Sequence, residues 1–97
     1  MAARGDVLIV RRRIGFGASR EVERFAVLQS DAFNAAVETL VVAPLDTRHA
    51  FYAGFPAAVP VPREEAGTAS PQVLLVSHLA AVAAARFEPV AVARLGV

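Results

Sequence analysis

The chain contains no cysteine, no lysine and no tryptophan. Without cysteine it can form neither a disulfide framework nor a thiolate metal site. No apolar run reaches the roughly 18 residues that a membrane-spanning helix needs. The charged start of the chain, residues 1–6, also lacks the apolar segment of a signal peptide. These absences predict a cytoplasmic protein without disulfides.

The apolar content, by contrast, is high for so short a chain. Hydrophobic residues make up 56% of the 97 residues. A chain of this length forms one small core, so we expect a single domain over residues 1–97. Apolar residues that such a core cannot bury lie on the surface, and an exposed apolar patch often marks a subunit interface. The composition therefore favours a contact between subunits.

All ten basic residues are arginines, and six of them lie in the first quarter of the chain, although the net charge is only +1. A local positive face on a near-neutral protein fits a phosphate-bearing ligand better than a uniformly basic binder does. A GC-rich genome would also explain a chain without lysine, but it would not explain the clustering. The clustered residues are Arg4, Arg11, Arg12, Arg13, Arg20 and Arg24.

Short apolar runs bounded by polar or turn-forming residues predict a mainly β protein. Pro44 should end the pairing of the third strand, because proline has no N–H for the ladder. Five or six short strands in so small a chain favour a small barrel or a tight sandwich. The predicted strands are Asp6 to Val10, about Glu23 to Ser30, about Glu38 to Ala43, Ala58 to Pro62 at an edge, and Gln72 to Ser77.

Three other stretches are less clearly patterned. Asp31 to Asn34 predicts a turn or one helical turn with Asp31 as its cap. Arg63 to Pro71 reads as a polar loop. The Ala-rich segment Leu79 to Phe87 has high helix propensity, with Pro89 placed to close a helix.

The loop Ile14 to Ser19 contains a Gly-x-Gly sequence but is not followed by the helix that a dinucleotide site requires. We interpret it as a flexible basic flap. A solvated hairpin loop is the alternative.

Arg24 opens the second predicted strand, and Asp46 and Thr47 directly follow the third. Functional side chains often lie at strand ends and in loops, because these face solvent while the strands hold them in place. Arginine contacts phosphate in a bidentate manner and stays charged, threonine hydrogen-bonds a phosphate oxygen, and aspartate serves as a base. Arg24, Asp46 and Thr47 at these strand ends can therefore bind and act on a phosphate group.

Taken in order, the motifs of residues 4–96 resemble the MazF/Kid (PemK-like) toxins of the CcdB/MazF superfamily. The resemblance rests on their order and spacing rather than on any single motif. The motifs are Arg4-Gly5-Asp6-Val7, Arg24 before Val27-Leu28-Gln29-Ser30-Asp31, Asn34, Val41-Val42-Ala43-Pro44-Leu45-Asp46-Thr47, Phe55-Pro56-Ala57-Ala58-Val59, Ser70, Val82 and Arg86-Phe87.

This resemblance implies a homodimeric SH3-like barrel that cleaves single-stranded RNA through the 2′-hydroxyl, without a metal or other cofactor. It also implies a cognate antitoxin whose acidic, disordered segment covers the arginines. In the family, the arginine at the start of the second strand and a threonine after the third carry the reaction. Arg24 and the Asp46-Thr47 pair match these positions, so the resemblance predicts Arg24, Asp46 and Thr47 as catalytic residues. The predicted RNA contacts are Arg11, Arg12, Arg13, Arg20 and Gln29, with Phe16 or Tyr52 available for base stacking. The resemblance further implies that residues 79–87 continue the preceding strand and lead into a last strand at Val90 to Arg94.

Three features depart from the family pattern. Phe25 stands where the family has proline, Asp46 stands where it has threonine, and the usual C-terminal helix is missing. Two other functions therefore stay open. One is gyrase inhibition of the CcdB kind, which depends on a C-terminal Trp-Gly-Ile that this chain replaces with Leu95-Gly96-Val97. The other is a catalytically silent barrel retained for binding.

Overall fold

The computed structural model describes residues 2–10 and 24–96. Within these ranges the chain forms seven strands and two short helices, and neither helix is long and apolar enough to cross a membrane. The strands are β1 (Asp6–Ile9), β2 (Arg24–Val27), β3 (Thr39–Asp46), β4 (Ala58–Val61), β5 (Gln72–Leu75), β6 (Ala80–Ala83) and β7 (Ala93–Arg94), and the helices are α1 (Asp31–Ala36) and α2 (Arg63–Ala66).

The strand β3 is the centre of a curled antiparallel sheet. Its run of apolar, partly β-branched residues suits a strand that is paired on both edges. One edge pairs with β2, which is followed outward by β1 and β7. The other edge pairs with β6 near the start of β3 and with β5 near its end, and β4 lies outside β5. The end of β3 is therefore held by strands on both sides.

A 3₁₀ turn at Val76–His78 separates β5 from β6 along this second edge. Leu45 pairs with Leu74, whereas Val42 pairs with Ala80, so the facing chain is longer than the stretch of β3 that it spans. Its additional residues form the 3₁₀ turn and do not pair with β3. This interruption bends the sheet. Val10, after β1, then forms a bridge with Phe87, after β6, and brings the two ends of the curled sheet together.

The prediction that Pro44 ends the pairing is wrong, because β3 continues to Asp46 and Pro44 lies opposite Phe25. The N–H of Leu28 donates to the carbonyl of Val41, which makes these two residues a hydrogen-bonded pair. Since such pairs alternate with non-bonded pairs, the nitrogen of Pro44 faces away from β2. It faces the interruption between β5 and β6, so the missing N–H breaks no regular pairing.

Side chains on the two faces of β1, β2 and β3 pack into two cores, as the alternation of a pleated strand requires. Phe25 is the largest fully buried side chain, and it meets the ring of Phe87 edge-on at 5.8 Å between centroids. The first core contains Leu8, Val10, Phe25, Val27, Leu40, Val42, Val82 and Phe87. The second, on the opposite face, contains Val7, Ala26, Ala43, Val61, Ala66, Leu74 and Leu95.

The predicted fold class, a mainly β small barrel with at most two short helices, is confirmed. Of the strand expected over residues 79–87, only Ala80–Ala83 is confirmed, because pairing with β3 overrides the helix propensity of its alanines. It does not continue the preceding strand, since the 3₁₀ turn at Val76–His78 separates it from β5. The last strand is only Ala93–Arg94, and the polar loop after β4 contains α2. Asp31 is the first residue of α1 rather than its cap, and its carboxylate accepts the N–H of Arg4 at 2.7 Å.

Candidate functional site

The antiparallel pairing of β2 and β3 brings the start of one strand to the end of the other. Arg24, the first residue of β2, lies opposite Leu45, and the next residues along β3 are Asp46 and Thr47. The three predicted catalytic residues therefore lie at one end of the strand pair. We call this end the catalytic end.

The guanidinium of Arg24 is only partly exposed, and its Nε is buried. Within residues 2–10 and 24–96 this Nε has no hydrogen-bond acceptor. Leaving a buried donor unsatisfied costs about 1–3 kcal/mol, and more when the group is charged. An anionic oxygen at this position would satisfy the donor with a charge-assisted hydrogen bond. The site is thus suited to a phosphate or carboxylate ligand.

The carboxylate of Asp46 accepts three hydrogen bonds from one neighbour, Arg48. Its Oδ1 accepts the backbone N–H of Arg48 at 2.8 Å and the Nε–H at 3.0 Å, and its Oδ2 accepts an N–H of the same guanidinium at 2.9 Å. The side-chain hydrogen bonds from Arg48 are the main reason that the pKa of Asp46 is lowered from 3.8, although partial burial opposes the shift. Asp46 is therefore ionised at neutral pH and holds Arg48 in place.

The pleat of β3 separates Asp46 from Arg24. Leu45, opposite Arg24, packs against the second core, whereas Asp46 follows it and points to the other face of the sheet. Thr47 is exposed just past the strand. Its carbonyl accepts the N–H of His49 at 2.9 Å, and its hydroxyl makes no hydrogen bond with the described part of the chain. The structure brings the three residues to one end but forms no direct contact between Arg24 and Asp46.

Sequence reasoning singled out Tyr52 for base stacking but missed Arg48 and the neighbouring rings of Phe51 and Phe55. Phe51, Tyr52 and Phe55, which we call the aromatic cluster, lie in the loop between β3 and β4 with centroids 4.9 to 5.6 Å apart. The guanidinium carbon of Arg48 lies 5.4 Å from the centroid of Tyr52, and its Nη2 donates to the hydroxyl of Tyr52 at 3.2 Å. Arginine among closely spaced aromatics was the signal available in the sequence, since both bind single-stranded nucleic acid.

His78 was also missed, and the sequence gave no pattern that singled it out. It lies on the 3₁₀ turn that faces β3, and its charge contributes to the lowered pKa of Asp46. Its Nδ1 is 3.1 Å from the hydroxyl oxygen of Ser77. His78 thus adds a titratable side chain near the catalytic end.

Gln29, predicted to bind RNA, lies at the opposite end of the strand pair. Its Nε2 donates to Oδ1 of Asn34 and to the carbonyl of Thr39, both at 3.0 Å, and Asn34 donates back to the carbonyl of Gln29 at 3.1 Å. At about 3.3 Å per residue, the separation between Gln29 and Arg24 is roughly 15 Å. The structure does not bring Gln29 to the catalytic end. We call this second end the closed end.

Four predicted RNA contacts, Arg11, Arg12, Arg13 and Arg20, lie outside the described residues, as does the glycine-containing loop between them. Their contact with RNA stays a prediction. Among the described arginines, Arg48, Arg63 and Arg94 form ion pairs with carboxylates. Arg24 forms none with a described carboxylate, so it is the partly buried arginine of residues 2–10 and 24–96 whose charge no described carboxylate neutralises.

Residues 3–96 match the family model of the PemK-like, MazF-like toxins of type II toxin–antitoxin systems. The match spans nearly the whole chain and agrees with the motifs singled out in the sequence. No curated protein matches the chain.

Proposed function

Because this chain belongs to the PemK-like and MazF-like toxin family of type II toxin–antitoxin systems, we propose that it is a metal-independent endoribonuclease that cleaves single-stranded RNA in the cytoplasm. The observation that carries this proposal is the buried Nε of Arg24 at the catalytic end, which has no acceptor among residues 2–10 and 24–96. A guanidinium in this state is suited to a phosphate group and to the extra negative charge that develops on it during cleavage.

Cleavage through the 2′-hydroxyl has three chemical requirements. A base takes the hydroxyl proton, positive charge stabilises the pentacoordinate phosphorane, and the leaving oxygen receives a proton. In this proposal Arg24 stabilises the phosphorane, and the exposed hydroxyl of Thr47 donates a hydrogen bond to a phosphate oxygen. Gln29 and the arginines at positions 11, 12, 13 and 20 bind the RNA backbone away from the reacting phosphate.

Asp46 remains the acid/base group of the proposal, but its geometry limits how it can act. A carboxylate that accepts three hydrogen bonds and has a lowered pKa is a weak base. To take the proton of a 2′-hydroxyl, it must use the lone pair that remains on Oδ2 or exchange a bond with Arg48 for a bond with RNA. In the free protein its role is therefore to hold Arg48 at the catalytic end.

The proposal also assigns partners. As a member of a type II toxin family, the chain has an antitoxin as its counterpart. We propose that an acidic, disordered segment of this antitoxin covers the arginines and that the toxin is a homodimer. An acidic segment placed over Arg24 would satisfy the same unpartnered Nε that a phosphate does, and it would thereby block the site.

The decisive experiment is incubation of the purified protein with a long single-stranded RNA in EDTA, followed by mapping of the product ends. The wild type should cut at discrete positions, and Arg24→Ala should reduce the cleavage rate roughly 100- to 1,000-fold, the usual cost of removing one transition-state donor. Arg63→Ala is the matched control, because Arg63 is an exposed arginine on α2 already paired with Glu64.

Each alternative function has its own outcome in this experiment. Intact RNA with the wild type would reject the ribonuclease, and a supercoiling assay with DNA gyrase would then separate a gyrase inhibitor from a silent barrel. Wild-type cleavage by a folded Arg24→Ala variant would place the active site elsewhere.

A further inference from the structure

The aromatic cluster forms a solvent-exposed surface that the proposed reaction does not use. The side chain of Phe51 is 62% exposed and that of Phe55 is 49% exposed, even though both contact Tyr52. The three rings therefore pack against one another while leaving apolar faces open. A flat apolar group can pack on such a surface without displacing any protein contact.

Contacts with the end of β3 fix the position of this cluster. Arg48 is bound to Asp46, the last residue of β3, and its guanidinium also lies over the rings of Phe51 and Tyr52. Backbone hydrogen bonds from Tyr52 to Arg48 and from Phe55 to Tyr52 close the turns between them. A surface that is already ordered loses little conformational entropy when it binds a ligand.

The electrostatics of the cluster suit the face of a base rather than a phosphate. The charge of Arg48 is paired with Asp46, so the rings carry no free positive charge to attract a phosphate. At this end of the strand pair, the described arginine without a described ion-pair partner is Arg24, opposite Leu45, one residue before Asp46. Stacking and phosphate contacts are thus separated but lie at the same end of the strand pair.

We propose that the aromatic cluster is a base-stacking site for single-stranded RNA, in which an unpaired base packs against both Phe51 and Phe55 while a phosphate of the same strand contacts Arg24. This inference rests on the proposed function, since it assigns the same RNA to a second contact. Unpaired bases stack on aromatic rings and arginine planes, and this stacking tolerates many sequences. The cluster positions the RNA strand, and it takes no part in the bond cleavage.

The test measures binding of a fluorescently labelled single-stranded RNA whose 2′-hydroxyls are methylated, so that it cannot be cleaved through them. Phe51→Ala and Phe55→Ala should each weaken the affinity roughly 5- to 150-fold, the range expected for the loss of one stacked base. Phe33→Ala is the matched control, because Phe33 on α1 is 63% exposed. Its affinity should equal that of the wild type.

Two further variants separate stacking from general apolar contact and from loss of the fold. Phe51→Leu keeps an apolar side chain without a flat ring, and it should bind RNA as weakly as Phe51→Ala. Phe51→Trp keeps an aromatic face and should retain the wild-type affinity. Equal affinities for the wild type, Phe51→Ala and Phe55→Ala would overturn the proposal, and so would a wild type that does not bind the RNA.

Sedimentation of the same variants tests a second copy of the chain as the occupant of this surface. If Phe51→Ala and Phe55→Ala change the oligomeric state but leave the RNA affinity of each protomer unchanged, the cluster is a subunit contact and the proposal is wrong. Cleavage of unmodified RNA, measured in parallel, distinguishes the two proposals. Cluster-dependent binding without cleavage rejects only the ribonuclease, whereas cleavage with cluster-independent binding rejects only the stacking site.

Discussion

The two ends of the β2–β3 pair both carry polar side chains, yet their hydrogen bonding differs. At the closed end, Gln29 and Asn34 donate to each other and Gln29 donates to Thr39, so the buried Asn34 is satisfied within the protein. At the catalytic end, the buried Nε of Arg24 has no acceptor among the described residues. Both ends belong to the same two strands. Among the described residues, only the catalytic end has a buried donor without an acceptor.

This difference separates polar residues that hold the fold from polar residues available to a ligand. A satisfied polar group at a strand end stabilises the connection between two elements, as Gln29 and Asn34 do between β2, α1 and β3. A buried donor left without an acceptor makes the free protein less stable and is satisfied when a ligand arrives. The comparison therefore assigns a stabilising role to the bonds between Gln29 and Asn34 and the binding of the reacting phosphate to the catalytic end.

Substitution of Arg24 by methionine tests this comparison with the largest expected effect. Arg24→Met keeps an unbranched side chain and removes the unsatisfied N–H, so the free energy of unfolding should rise by about 1 kcal/mol. Cleavage of RNA should fall roughly 100- to 1,000-fold. Urea unfolding and the cleavage rate, measured beside Arg63→Met, give the two values. A variant that is less stable but fully active would identify Arg24 as a structural residue.

A substitution at the closed end should lower stability and leave activity unchanged, the opposite of the result expected for Arg24→Met. Asn34→Ala leaves the backbone carbonyl of Gln29 without this donor and removes one of the two acceptors of the Gln29 amide, so the free energy of unfolding should fall by about 1–3 kcal/mol. The cleavage rate per folded molecule should stay unchanged. A double-mutant cycle with Gln29→Ala measures the coupling between the two amides. Lack of coupling would mean that the bonds at this end do not stabilise the strand pair.

The strand pattern could be read from the sequence because short β-branched runs bounded by turn residues are local signals. The course of β3 through Pro44 could not, because it depends on a 3₁₀ turn in a segment that pairs with β3 only after folding. The helix propensity of residues 79–87 was overridden for the same reason. Strands that pair in a sheet can be far apart in the sequence, and a single sequence does not show which strands pair.

The candidate site was predicted in part. Arg24, Asp46 and Thr47 follow from strand ends, which are visible in the sequence. The bidentate pairing of Arg48 with Asp46 depends on the turn that follows β3, and the exposure of Phe51 depends on loop packing. A phenylalanine in a loop is equally compatible with a buried position, so its availability to RNA becomes visible only in the structure.

The smallest expected effect concerns the Asp46–Arg48 pair, which connects the catalytic end to the aromatic cluster. Because Arg48 lowers the pKa of Asp46 below its ordinary 3.8, the unfolded chain binds a proton more readily than the folded protein does. The stabilisation is therefore complete above about pH 4 and is lost as the pH falls through the lower, folded pKa. Wild type should exceed Asp46→Asn in unfolding free energy by a constant amount from about pH 8 to about pH 5, and the gap should close in stronger acid. Glu64→Gln, at the exposed pair with Arg63, is the control, and a gap that persists at the lowest pH would mean that Asp46 stabilises the fold by means other than its charge.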